Sequence, residues 1–188
     1  MLKHTGTQEI KTKRLTLRRF TIEDAKPMFE TWANDERVTK FLTWLPHGSL
    51  DVTKNIIEIW IKDYEKPSSY NWAIEFEGKL IGSISVTEID ENSERVEIGY
   101  CIGYDFWSKG IMSEAAQAVI DFLFEKVNVH RITITHATKN PASGKVAQHC
   151  GLTLEGVRRE FFKSSFGEFL DIAVYSILRQ EWQEKSSL

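Results

Sequence analysis

The stretch that decides the fold runs from Glu97 to Glu125 and reads EIGYCIGYDFWSKGIMSEAAQAVIDFLFE. Its first part continues a period-two pattern that predicts a strand, with apolar side chains at Val96, Ile98, Tyr100 and Ile102. Its last part predicts a helix, because apolar side chains recur at every fourth position: Ile111, Ala115, Val119, Leu123 and Val127. The chain must therefore turn sharply within residues 107–112.

That turn contains Gly110 and leads directly into the predicted helix. The first N–H groups of a helix have no intrahelical partner, and they lie at the positive end of the helix dipole. The N–H groups of Ser108 to Ser113 therefore predict an anion site that suits phosphate. An ordinary strand-to-helix turn fits the same residues, since one glycine matches neither the Walker A nor the dinucleotide-binding pattern.

The rest of the chain adds strands and helices on both sides of this stretch. Strands are predicted over residues 12–20, 70–76, 80–89, 94–102, 131–138, 152–163 and 169–178. Helices are predicted over residues 21–33, from Ser49 or Asp51 to about Tyr64, 111–127 and 141–150. The segment 38–50 is expected to be a loop, and the tail after Trp182 to lack regular structure. The strand after the central helix follows a crossover, which predicts a parallel neighbour and a mixed α/β sheet.

Composition excludes several classes of protein. The 188 residues suffice for one buried core, so we expect one domain over residues 1–188. The net charge of −3, without a long basic run, argues against direct nucleic-acid binding. Cys101 and Cys150 are predicted to be reduced core residues. The sequence has no secretory leader, no apolar run near the ~20 residues of a membrane span, and no metal-ligand spacing of histidines. We expect a cytoplasmic protein without a metal.

Three motifs resemble the GNAT acetyltransferase superfamily. The family's loop Q/R-x-x-G-x-G/A is matched by Gly110 at the central glycine, with Trp107 and Met112 at the flanking positions. Tryptophan at the first position is typical of the branch of ribosomal-protein serine/alanine N-acetyltransferases. The opening T-x-R-L-x-L-R resembles the superfamily's first strand, and the N-x-x-S at Asn140 to Ser143 with the following G-L-x-x-E-G is similar to the ribosomal-protein branch. The resemblance implies a mixed seven-stranded sheet flanked by about four helices.

The resemblance also implies acetyl-CoA as co-substrate. Its pyrophosphate is expected at the backbone N–H groups of residues 108–113, and its pantetheine along residues 100–102. Lys109 either attracts the phosphates or is simply a solvated loop residue. The residues expected to contact CoA are Tyr100, Cys101, Ile102, Trp107, Ser108, Lys109, Gly110, Ile111, Met112, Ser113, Asn140 and Ser143.

Acetyl transfer to an amine requires that the ammonium lose a proton and that a thiolate leave. Glu97 is the candidate general base, on the strand face opposite Val96 and beside Gly99, whose missing side chain leaves room. The alternative is a structural Glu97 in an ion pair with Arg95 or Arg131.

The leaving thiolate has a candidate proton donor in Ser143. The tyrosine that many family members use is absent, because its position is occupied by Ala147. Ser143 stands where the ribosomal-protein branch protonates the sulfur. The alternative is a serine that only supports the helix start.

The acceptor site is predicted from aromatic residues in or beside turns, where a packed core would not require them. The candidates are Trp44, His47, Phe161 and Phe169. The acceptor is expected to be a protein N-terminal α-amine, with a homodimer as a further possibility. A polyamine or aminoglycoside acceptor, or a non-catalytic sensor of acyl-CoA, remain alternatives at this point.

Overall fold

A computed structural model describes residues 1–186 of the chain. Its strands are β1 Ile10–Lys11, β2 Leu15–Arg18, β3 Asn71–Phe76, β4 Lys79–Asp90, β5 Arg95–Ile102, β6 Arg131–Ala137, β7 Thr153–Lys163 and β8 Phe169–Leu178. Its α-helices are α1 Ala25–Met28, α2 Glu36–Thr39, α3 Leu50–Asp63, α4 Ile111–Phe122, α5 Pro141–His149 and α6 Arg179–Ser186.

The strands form one sheet in the order β1–β2–β3–β4–β5–β6–β8–β7. The neighbours β5 and β6 are parallel and the other neighbours are antiparallel, which confirms the mixed α/β class. The sheet has eight strands rather than the predicted seven. The additional strand β1 pairs Ile10 with Leu17 and is only two residues long, too short for a period-two pattern to reveal.

The helices differ from the sequence prediction in three places. The first predicted helix consists of a 3₁₀ turn, α1 and the π-helical turn Phe29–Ala33. Helix α2 was not predicted and ends inside the segment predicted as a loop, and Asp35 caps it by accepting from the N–H of Arg37. Helix α6 replaces the predicted irregular tail, because Trp182 stacks on Phe124 and its indole N–H donates to Asp121.

Helices cover both faces of the sheet. On one face, Ile111 and Val119 of α4 and Ala147 of α5 pack in the same core as Ile98 of β5. On the other face, Met28 and Ile57 pack with Ala73 of β3. Helix α3 buries only part of its apolar side chains: Ile57 is fully buried, whereas Ile61 is 38% exposed.

The two parallel strands separate after a short contact, and this separation creates the cleft on which the site depends. Residues 95–97 of β5 pair with residues 131–133 of β6, and β5 then continues to Ile102 while paired with β4 alone. The half of β5 beyond Glu97 therefore presents backbone groups toward an opening rather than toward a strand.

Within residues 1–186, no helix combines the length and the apolar character that crossing a bilayer requires.

Candidate active site

The turn between β5 and α4 has the conformation that an anion site needs. Gly110 is the N-cap of α4 and is left-handed, with φ 69° and ψ 6°. The N–H of Glu114 donates to the Gly110 carbonyl at 3.1 Å, so the N–H groups of residues 111–113 lie ahead of the first intrahelical bond. Trp107 fixes the start of the turn, since its indole N–H donates to the Ile102 carbonyl at 2.9 Å.

The side chains of this turn point in different directions. The side chains of Ile111 and Met112 are buried in the core, and the carbonyl of Ser113 accepts from Cys150. Ser108 has a positive φ of 59° and is exposed. The exposed Lys109 has its ammonium 5.4 Å from the centre of the Phe106 ring. The backbone N–H groups of the turn and the exposed side chains of Ser108 and Lys109 are therefore available to an anion.

Arg14 is distant from this turn in the sequence but contacts it in the structure. The motifs did not predict this contact. Its guanidinium donates to the Lys109 carbonyl at 3.1 Å and to the Glu114 carboxylate at 2.6 Å. Thr12 donates to the same carboxylate at 2.6 Å. These contacts connect the start of β2 to the first turn of α4, and they place a cation beside Gly110.

We expect Gly110→Val to weaken CoA binding about tenfold or more, since a β-branched residue in the left-handed region costs about 1–3 kcal/mol and relaxation would misalign the N–H groups. A β-carbon at Gly110 has room, 3.7 Å from the nearest Arg14 nitrogen, so the strain comes from φ. Gly78→Val is the matched control, with φ 72° in the β3–β4 turn and no atom within 4 Å of its β-carbon. Calorimetric titration with CoA checks the prediction. Equal CoA affinity in Gly110→Val and Gly78→Val would contradict it.

Across the cleft, Tyr100 of β5 contacts Ser143 of α5. The Tyr100 hydroxyl lies 3.0 Å from the Ser143 hydroxyl oxygen and donates to the Ser143 carbonyl at 3.1 Å. Burial raises the pKa of Tyr100 well above its usual range, so the phenol stays protonated. Asn140 is the N-cap of α5 with Pro141 next to it, as predicted, but its side chain makes no capping hydrogen bond. Its amide is therefore not committed to the helix start.

Glu97 lies where β5 and β6 separate, and a neutral hydroxyl holds it. Thr135 of β6 donates to the Glu97 carboxylate at 2.7 Å. The predicted ion-pair partners are engaged elsewhere: Arg131 makes two bonds of 2.6 Å to Glu155, and Arg95 pairs with carboxylates of β4. The room expected beside Gly99 is filled, since a β-carbon there would meet the Thr87 methyl at 2.9 Å.

One cavity of about 920 Å³ brings together eight of the predicted site residues, whereas Ile102 and the residues of the turn do not line it. Its lining includes the predicted residues Glu97, Tyr100, Cys101, Asn140, Ser143, Trp44, His47 and Phe161. The sequence reading missed Thr135, His136 and the aromatic side chains of Trp32, Phe41, Trp60 and Phe162 in the same lining. Within the described chain, no group of three or more His, Cys, Asp or Glu is arranged to hold a metal ion.

Two predicted residues differ from expectation. Phe169 does not line the cavity: it is 58% exposed on the β7–β8 hairpin, with the Lys163 ammonium 5.5 Å from its ring centre. Cys101 lines the cavity, but its thiol is 3.3 Å from the Ser83 hydroxyl, and burial raises its pKa to about 11. A thiol with that pKa is a packing group rather than a nucleophile.

A turn whose first helical N–H groups have no intrahelical partner, at the end of a strand that lines a cavity containing a carboxylate, suits an enzyme that moves an acyl group from coenzyme A to an amine. Comparison with known families agrees with this class. Residues 14–153 match the family described as the acetyltransferase (GNAT) domain. The chain therefore belongs to the GNAT family of N-acetyltransferases, and acetyl-CoA is its co-substrate.

Curated relatives carry the same activity in their names. An uncharacterized N-acetyltransferase, p20, from Bacillus licheniformis is 30% identical over 91% of this chain and 96% of its own length. The ribosomal-protein-serine acetyltransferase of Escherichia coli is 26% identical over 86% of this chain and 93% of its own. The spermidine N(1)-acetyltransferase of Vibrio cholerae is 24% identical over 81% and 87%. The chain is thus an enzyme, and the non-catalytic sensor is set aside.

Solved structures share the fold. A GNAT-family acetyltransferase from Bacillus anthracis superposes with a TM-score of 0.81 at 26% identity, over 93% of this chain and all of that one. RimL, a ribosomal L7/L12 alpha-N-protein acetyltransferase described in complex with coenzyme A, superposes with a TM-score of 0.83 at 21% identity, over 93% and 99%. The predicted resemblance to the ribosomal-protein branch is confirmed.

Proposed function

We propose that the chain acetylates a protein or peptide N-terminal α-amine by direct attack of the amine on the thioester. The observation that carries this proposal is the Glu97 carboxylate, which lines the cavity where β5 and β6 separate and has a neutral hydroxyl as its hydrogen-bond partner. The similarity to an enzyme named for ribosomal-protein serine supports an α-amine acceptor.

The proposed cofactor contacts follow the geometry of the turn and the cleft. The backbone N–H groups of residues 108–113 hold the pyrophosphate at the start of α4. The backbone of residues 100–102, which faces the opening between β5 and β6, holds the pantetheine. The Asn140 side chain, without a capping bond, is available to the same group.

Glu97 is the proposed general base. An α-amine has an ordinary pKa of about 7.7–8.0, so a large share of it is protonated at neutral pH and must lose its proton before attack. A carboxylate bonded to Thr135 rather than to a cation keeps acceptor capacity for that proton, directly or through water.

Ser143 is the proposed partner of the leaving sulfur, and Tyr100 orients it. The Ser143 carbonyl can only accept, so the Tyr100 proton lies toward this carbonyl or toward the Ser143 oxygen. When Tyr100 donates to the Ser143 hydroxyl, the serine proton is free to turn to the sulfur. Because an ordinary thiol has a pKa of about 8.5, a hydrogen bond to the thiolate is sufficient help and complete proton transfer is not required.

A small amine acceptor is the second candidate, because a spermidine acetyltransferase is among the relatives. A small amine requires the same base and the same cofactor contacts as an N-terminal α-amine. The side chains around the acceptor therefore determine which of the two amines is preferred. Trp44, His47 and Phe161 of the cavity lining are the proposed walls.

The test is thiol release from acetyl-CoA with a panel of amines. Peptides that begin with Ser or Ala are expected to give the highest kcat/KM, above spermidine and an aminoglycoside. A higher kcat/KM for spermidine than for every peptide would replace the first candidate by the second.

We further propose one domain over residues 1–188, since the single sheet draws strands from Ile10 to Leu178. The homodimer and the cytoplasmic location stay predictions.

A further inference from the structure

The ionisable groups that line the cavity have an unequal balance of charge. The described lining contains three carboxylates, Asp63, Glu88 and Glu97, and no lysine or arginine. Arg158 comes near, 4.8 Å from the centre of the Phe161 ring, but it does not line the cavity. A bound anion would therefore find no lysine or arginine within the described lining.

Two of the three carboxylates are already neutralised from outside. Asp63 pairs with the Lys66 ammonium at 2.6 Å, and Glu88 with the Arg95 guanidinium at 2.8 Å. Glu97 instead accepts from the hydroxyl of Thr135. The cavity thus offers one carboxylate that is not in an ion pair, which matches one ammonium group.

His47 does not change this balance at neutral pH. Burial lowers the pKa of His47, which favours the neutral imidazole. Its Nδ1 lies 2.8 Å from the hydroxyl of Thr53, which is fully buried in α3. The imidazole therefore contributes a ring face and a neutral polar edge to the acceptor wall.

The rest of the lining consists of aromatic and aliphatic side chains together with neutral hydroxyl and amide side chains. The rings of Trp44 and His47 are 5.0 Å apart, and Trp60 packs on Phe20 at 4.9 Å. Phe161 is 61% exposed at the rim, while Trp32 is fully buried behind the cavity surface. Such walls stabilise apolar groups by burial and leave an introduced charge without its water.

From these observations we propose that the acceptor site selects amines whose body, beyond the one reacting ammonium, is uncharged, and that it discriminates most strongly against amines carrying an anion. A second ammonium fares better than an anion but worse than an apolar group, because Asp63 and Glu88 are already paired. This inference rests on the proposed function only in taking the cavity as the acceptor site.

Two matched series of acceptors test the selection. The first is three tripeptide amides, Ala-Leu-Ala, Ala-Lys-Ala and Ala-Glu-Ala, which share the same reacting amine. The second is pentylamine, 1,5-diaminopentane and 5-aminopentanoate, which have equal chain lengths. In each series kcat/KM is expected to fall in the order given, by about tenfold or more from the first to the last, because burying an unpaired ionised group costs more than that factor.

A pair of variants tests whether the cavity lining causes the selection between charged and uncharged acceptors. Phe161→Arg introduces a cation at the rim, and it is expected to raise kcat/KM for Ala-Glu-Ala relative to Ala-Leu-Ala at least several-fold. Phe169→Arg is the matched control, on the same hairpin and equally exposed but outside the lining, and it is expected to leave the ratio unchanged. Thermal unfolding of both variants checks that each is folded.

The outcomes separate this inference from the proposed function. If the peptides react and Ala-Glu-Ala or Ala-Lys-Ala equals Ala-Leu-Ala, the charge selection is wrong while the N-terminal acceptor stands. If only the small amines react, the N-terminal acceptor is wrong, and the order within the second series still supports or overturns the selection. An equal change of the ratio in Phe161→Arg and Phe169→Arg would overturn the assignment to the lining.

Discussion

Replacing Glu97 by Gln is expected to lower kcat at neutral pH by about 10²–10⁴-fold, the usual contribution of a general base. Glutamine keeps the shape of the side chain and can still accept from Thr135, so CoA affinity and folding should change little. The variant should recover part of its loss at high pH, because the free α-amine becomes abundant above its ordinary pKa of about 7.7–8.0. A pH profile of single-turnover acetyl transfer measures both effects.

Glu88→Gln is the matched control for Glu97→Gln. Glu88 pairs in register with Glu97 on the neighbouring strand and lines the same cavity, but it forms an ion pair with Arg95. Its substitution should leave turnover within a few-fold. If Glu97→Gln also keeps turnover within a few-fold, or loses stability rather than chemistry, Glu97 is a structural residue and the base lies elsewhere.

Replacing Ser143 by Ala is expected to lower the rate of acetyl transfer by about 10–150-fold, since a hydrogen bond to a charged group contributes about 1.5–3 kcal/mol. The loss should shrink with the selenoester analogue of acetyl-CoA, because a selenolate is a weaker base and needs less help to leave. A loss of equal size with both donors would indicate that Ser143 only supports the start of α5.

Substitutions of Tyr100 and Tyr175 offer a controlled comparison for the departure of the thiolate. Tyr100→Phe removes the group that orients the Ser143 hydroxyl, and it should reproduce part of the Ser143→Ala loss together with its dependence on the leaving group. Tyr175→Phe removes another buried phenol, which accepts from Gln148 of α5, and it should leave the step unchanged. Equal effects of the two variants would contradict a specific role for Tyr100.

The parts of the fold that were predicted from the sequence are those in which apolar residues recur at a regular spacing over many positions. The central strand, turn and helix and the β7–β8 hairpin were predicted closely, because each carries an apolar pattern over several turns or residue pairs. Strand β1 and helix α2 are too short for a period to be read. Helix α6 is polar along its length, and it is held by tertiary contacts of Trp182 that no local pattern records.

The same limit applies to the site. The sequence predicted the turn at Gly110 and the candidates Glu97 and Ser143, because these lie inside motifs or at element ends. The partners of these residues were not predicted. Thr135 meets Glu97, and Tyr100 meets Ser143, only because of how two parallel strands separate. Spacing along the chain contains no information on such contacts.

The contacts of Arg14 make the turn between β5 and α4 depend on a part of the chain that is distant in sequence. Arg14 and Thr12 belong to the start of the chain, yet they fix Lys109 and Glu114, which are synthesised about a hundred residues later. The turn therefore acquires this support only after the N-terminal strands have found their place in the sheet. A chain in which these N-terminal residues have left the sheet would lack this support at Lys109 and Glu114.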